Sequence, residues 1–241
     1  MAGCGTAAPL RRFKQNLLEE DAMDFSFAAA KDLYDGNIHP RIFIGPDDIP
    51  VLRRRAQSGV GRLIADRMRA RVGRLVALVR DAESVPQLIA EWNVKWTKPG
   101  TRVVRGLQDM ALIAVLDQDE AALDAVRLIL SSCPEAEEIG RQGVRRLGHG
   151  GIGDITGAYD LVQPHMSEAE REGWCAWAYE SGVHRKRSEL LPHYFTAPAG
   201  NMSIGAALAA IKTMLAVQGE PGVPPLTEDW QTFLSMLEAT L

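Results

Sequence analysis

Only three of the 241 residues are cysteine, Cys4, Cys133 and Cys175, an odd number at wide spacings. No CxxC pair and no Cys/His cluster at zinc-ligand spacing exists. That argues against a disulfide framework or a structural metal and leaves the thiols as small core fillers. Long apolar runs are missing as well. No stretch of eighteen apolar residues is present for a membrane span, and the opening MAGCGTAAPLRRFKQ lacks the apolar core of an export signal. The expectation is a cytoplasmic protein as written, or a periplasmic or secreted one if the natural start lies upstream. Strand alternation of useful length is absent, as are the P-loop, the GxSxG elbow, the HExxH helix and the EF-hand loop. No cofactor and no metal is therefore expected, and any chemistry must rest on scattered residues.

What is present is an ordinary globular composition, 46% hydrophobic and 24% charged, enough to bury a core. The net charge of −4 conceals an asymmetry, because residues 41–80 hold ten Arg against Asp47, Asp48 and Asp66. One basic element sits on an acidic body. It can serve an anionic partner, or it can be a solvated helix face whose Arg stems cover apolar surface. Its arginines are not interleaved with aromatics as a nucleic-acid platform requires, so neither nucleic acid nor membrane is the expected partner.

The pattern along the chain is helical throughout. Residues 1–38 read as an N-terminal extension and 39–241 as one domain. His39-Pro40 imposes an extended start, Ile42, Phe43 and Ile44 look strand-like, and Pro46-Asp47-Asp48 opens a helix. From Val60, the residues Leu63, Ile64, Met68, Val72, Leu75 and Val79 recur at helical spacing. Ser84 and Pro86 start a shorter helix. The spacing then predicts helices over 101–116 and 119–132, a pair ended by Pro134. Ser167 and Glu170 form a capping box for the helix carrying Trp174 and Trp177. The segments 151–163 and 202–217 are nearly uncharged and rich in small residues, whereas 60–80 and 167–187 are amphipathic. That alternation predicts an all-α fold with inner helices packed closely on all sides and outer helices wrapping them, an incomplete (α/α) toroid of paired antiparallel helices.

Gly148-His149-Gly150-Gly151-Ile152-Gly153 satisfies GxGxxG, but no strand precedes it, so a dinucleotide site is rejected. His149 remains a candidate for a ligand-facing loop. In HYFTAPAGN, residues 193–201, His193 and Tyr194 flank a Pro-containing turn, and Asn201 stands where a helix begins. Asn201 reads either as a helix cap or as a ligand contact at the amide-rich helix end. Trp92 and Trp96 are either sugar-stacking platforms or packing anchors. A glycoside hydrolase would need two facing carboxylates, and Asp154 and Asp160, six residues apart on one helix, point in different directions.

Taken in order, HPRIFIGPDDIPVLRRRA, LQDMALIAVLDQDEAALDAVRLIL, ITGAYDLVQPHMSEAERE and GNMSIGAALAAIKTMLAVQGE resemble successive segments of the heparinase II/III-like polysaccharide lyases. The resemblance spans about residues 39–220 and implies an N-terminal α/α toroid followed, in complete enzymes, by a β-sandwich. Such enzymes cleave uronic-acid polysaccharides of the heparin, heparan or alginate kind by β-elimination. Donors neutralise the uronate carboxylate so that a base, a Tyr in the family, can take the C5 proton. The resemblance places Asn201 on the family's catalytic Asn. His193, Tyr194, His149, Arg105 and Trp96 are the candidate substrate-binding residues. The implied partner is an acidic polysaccharide or oligosaccharide. The sequence departs from the pattern in having Met202 after the motif Asn, no Tyr after Tyr194 and no β-sandwich. A binding-competent fragment without turnover is the expectation. The alternative is a non-catalytic helical scaffold whose Arg-rich helix engages an anionic partner.

Overall fold

Apolar residues spaced by three and four along most of the chain demand helices, and the computed structural model forms them. It describes residues 37–92, 97–141, 151–188 and 201–238, all in the unit Asn37–Leu241. The helices are α1 (Asp48–Arg55), α2 (Gly59–Arg80), α3 (Val85–Ala90), α4 (Pro99–Arg105) and α5 (Leu107–Asp117), followed by α6 (Glu120–Arg141), α7 (Ile152–Val162), α8 (Glu168–Tyr179), α9 (Asn201–Val217) and α10 (Thr227–Glu238). A 3-10 turn, Gln163–His165, follows α7, and a π turn, Glu180–His184, follows α8. Among the described residues there is no strand, so the fold is all-α.

The local signals act as their chemistry requires. Ser84 accepts from the Gln87 amide with Pro86 in the first turn of α3. Ser167 and Glu170 satisfy each other's backbone amides in a capping box that starts α8. Buried Val72, Leu75 and Val79 form the inward stripe of α2.

Three sequence expectations are corrected. Ile42, Phe43 and Ile44 pair with no strand; the segment bends across α7 and is held by side-chain acceptors there. The helix expected over 101–116 breaks at Gly106, where a Cβ would lie 2.3 Å from Leu75 Cδ1, so the junction of α4 and α5 can approach α2 only as glycine. Pro134 does not end its helix, because α6 runs through it to Arg141. Pro134 lies on the exposed side, Ser132 Oγ and Cys133 Sγ donate to the Leu128 and Ile129 carbonyls one turn back, and buried Ala136 and Glu137 continue the packed face. Tertiary packing there outweighs a local breaker worth roughly 3 kcal/mol.

The helices α5, α7 and α9 pack side by side in that order. Behind them, α6 lies against α3 and α5, α8 touches α6 and α9, and α10 rests on α9. One contiguous apolar cluster joins them, from Val72 on α2 to Phe233 on α10. Small residues allow the close approach. Thr156 and Thr213 hydroxyls meet at 3.3 Å between α7 and α9, and Gly182 of the π turn fits against Ile152 and Thr213. Tyr159 and Trp174 stack at 3.9 Å between ring centroids, which contributes about 1 kcal/mol beyond the area buried. Trp92, weighed as a possible sugar platform, is buried in this core.

Candidate functional site

Three of the sequence segments singled out above, those holding His39, Asp160 and Glu220, converge on one buried polar cluster. His39 Nδ1 lies 2.7 Å from Asp160 Oδ1 and its Nε2 is 3.3 Å from Glu220 Oε1. The Arg41 amide donates to both oxygens of Asp160 at 3.0 Å, and the Ile42 amide donates to Oδ2 at 2.9 Å. Glu220 also accepts from Gln163 Nε2 at 2.6 Å and from Asn37 Nδ2 at 3.1 Å. The Arg41 guanidinium donates to the carbonyls of Leu215, Ala216 and Gln218, which α9 leaves unsatisfied at its C-terminal end. The segment 37–42 is thereby strapped across the ends of α7 and α9.

This cluster is structural chemistry. His39, Asp160 and Glu220 are each at most 5% exposed, which leaves no room for substrate. Burial alone would raise the Glu220 carboxyl, but His39, Gln163 and Asn37 outweigh it and hold it below its ordinary value. Tyr159, fully buried beside it, has its hydroxyl pushed far up by desolvation and by Cys175, whose Sγ donates to it at 3.0 Å. A phenol in that state cannot act as the base of an elimination. Tyr179 is turned to Asp229 on α10, 3.4 Å away.

The exposed chemistry lies elsewhere, on the face shared by the end of α4, the start of α7 and one stripe of α9. Lys212 is the only charged residue of α9. Its Nζ donates to the Gly153 carbonyl at 3.3 Å and sits 4.5 Å from the centroid of the Phe43 ring. Burial pushes the Lys212 ammonium down, against the opposing pull of Asp154. Burial likewise pushes the Asp154 carboxyl up, against the charges of Arg105 and Lys212. The charges of Arg105 and Lys212 thus both act on one reluctantly ionised carboxylate. Beside them, Phe43, 62% exposed, rims a cavity of about 340 Å³ that Gln108, Leu112 and Gly157 also line.

Register connects this face to the sequence candidates. Asn201 opens α9, and Gly205 and Leu208, both exposed, fall with Lys212 on the same stripe. From Asn201 to Lys212 is about three turns. Arg105 is exposed and its charge acts on Asp154. His193, Tyr194, His149 and Trp96 lie outside the described residues, as does the side chain of Asn201. Asp160 is consumed by the strap while Asp154 is half-buried near Arg105, so the two inner acids do face apart.

Sequence reading missed Lys212 and Phe43. A lone charge in a seventeen-residue helix of small and apolar residues was the available signal for the first. Nothing local marks Phe43 as exposed. Among the described residues no group of three or more His, Cys, Asp or Glu is arranged to hold a metal, and no helix is long and apolar enough to cross a membrane. No family model matches the chain, and neither a curated protein nor a solved structure matches it significantly.

Proposed function

We propose that this domain is the helical, toroid-like part of a uronate polysaccharide lyase and that the face of α4, α7 and α9 binds an acidic oligosaccharide. The observation that carries the reading is Lys212, bonded to the Gly153 carbonyl and 4.5 Å from the exposed Phe43 ring that rims a cavity of about 340 Å³, with the Arg105 charge acting on Asp154 next in sequence. An exposed Phe offers a sugar ring its apolar face, and the two cations offer its carboxylate fixed charge. The succession α5, α7, α9 with α6, α8, α10 behind it supports the inner and outer rows of an α/α toroid. Asn201 opens α9 about three turns before Lys212 on the same stripe.

Binding rather than turnover is the expected activity. The elimination requires a base at the C5 proton, and neither described tyrosine reaches this face. Calorimetric titration with uronate oligosaccharides tests the reading. Lys212→Ala weakens binding about tenfold, the loss of one charge-assisted contact. Absence of binding by the unaltered chain, or identical affinity for the variant, overturns the proposal. An assay following absorbance of the unsaturated product shows no turnover; turnover abolished by Asn201→Ala would restore the complete catalytic reading.

A further inference from the structure

The outer arginines divide into two groups. Arg69 forks onto Asp117 through Nε at 2.6 Å and Nη2 at 2.8 Å, Arg71 meets Asp109 at 2.5 Å, Arg80 meets Asp81, and Arg53 caps the Val115 and Leu116 carbonyls of α5. These are committed to the fold or to a neighbouring acid. Arg74 on α2 and Arg102 on α4 have no such acid among the described residues, and both are exposed. They converge with Arg71 on a groove of about 450 Å³ floored by Leu75 and Leu78. That volume lies within the range of small-molecule sites.

The position of this groove matters more than its charge. Arg102 and Arg105 are three residues apart on α4, so about one helical turn connects the groove to the face where Arg105 sits near Asp154. Arg105 and Arg102 on α4 and Arg74 on α2 then form a run of basic charge that begins where the Arg105 charge acts on Asp154. We propose that the α2/α4 groove is a distal subsite that holds a carboxylate or sulfate group of the same acidic polysaccharide, one or more sugar units away from the α4/α7/α9 face. The inference rests on the proposed function above and adds the direction in which the chain runs.

Two features choose the occupant. Planar guanidinium forks match carboxylate and sulfate oxygens in pairs, and a leucine floor accepts the apolar face of a pyranose ring. No aromatic side chain lines the groove, so it offers no stacking platform for the bases of a single-stranded nucleic acid.

The experiment uses the full chain with uronate oligosaccharides of two lengths, a disaccharide and an octasaccharide, titrated by calorimetry. The double variant Arg74→Ala/Arg102→Ala is expected to lose about tenfold in affinity for the octasaccharide while binding the disaccharide unchanged. Lys212→Ala is expected to weaken both. Both arginines are exposed, and an unaltered circular dichroism melt confirms that the variant is folded. If the double variant binds the octasaccharide as tightly as the parent while Lys212→Ala does not, the distal subsite is overturned and the first face stands. If neither length binds the parent chain, the reading of the first face fails and takes the distal subsite with it. Tighter binding of an oligothymidylate than of the octasaccharide, lost in the double variant, would overturn the choice of partner.

Discussion

Asp160 receives the Arg41 and Ile42 amides and faces His39 Nδ1, so replacing one of its oxygens with an amide nitrogen sets donor against donor inside the core. Asp160→Asn is therefore expected to lower the unfolding free energy by about 3 kcal/mol, read from urea denaturation. A loss below about 1 kcal/mol would mean the strap contributes little. Glu220 adds a pH dependence. Its folded carboxyl is held below the ordinary value of 4.5, so the unfolded chain takes up protons first as the medium is acidified. The stabilisation is complete above pH 4.5 and is lost as pH falls through the folded value. Urea midpoints measured from pH 6 to pH 3 should decline less steeply in Glu220→Gln than in the parent below that point. Sequence reading found His39, Arg41 and Asp160 as parts of motifs, yet their joint role was invisible because the partners are separated by about 120 positions. Buried pairing over such a distance leaves no local period to read.

At the scale of the helix, patterns with local causes were legible and those set by packing were not. The capping box at Ser167 and the later part of the α2 stripe, Val72 to Val79, follow from spacing, whereas Leu63 and Ile64 of the same pattern are exposed because nothing among the described residues packs on that part of the helix face. The passage of α6 through Pro134 does not, since what sustains it is the burial of Ala136 and Glu137 and the ring nitrogen of Trp177 donating to Glu137 at 3.0 Å. Because Pro134 is exposed and its ring carries no core contact, Pro134→Ala should raise stability by about 1 to 3 kcal/mol, measured as an upward shift in thermal midpoint. Gly182→Ala should act oppositely. Its Cβ would lie 2.9 Å from Ile152 Cγ1 and 3.0 Å from Thr213, both side chains buried between helices, and overpacking of this kind costs about 1 to 3 kcal/mol. A neutral result for Gly182→Ala would show that α7 and α9 can separate to make room. Lys212 belongs to this scale too, since only the turn of α9 decides that its one charge meets Phe43 and Asp154 rather than the core.

For the molecule as a whole, composition announced a basic element on an acidic body, and the structure divides that element into arginines that hold the fold and arginines that do not. Exposed cations act through a screened field, so the proposed oligosaccharide affinity should fall about fivefold or more between 50 mM and 500 mM salt, as calorimetry at both concentrations would show. Salt-independent affinity would point to a neutral ligand. The all-α class was evident from the absence of strand alternation. The close packing of α7 and α9 was suggested by the small residues of 151–163 and 202–217, while the place of α5 beside α7 and the cavity beside Phe43 required coordinates.

The strap also orders events in time. Asn37 and Glu220 are 183 positions apart, so although residues 41 and 42 can reach Asp160 earlier, the contacts to Glu220 and to the end of α9 must wait through the interval in which those positions are made. At ordinary synthesis rates that interval is roughly ten to forty seconds. Throughout it, the Arg41 guanidinium lacks the carbonyls at the end of α9 that will accept from it. Docking of residues 37–42 is completed only once α9 has been made, so this segment waits long for part of its native contacts.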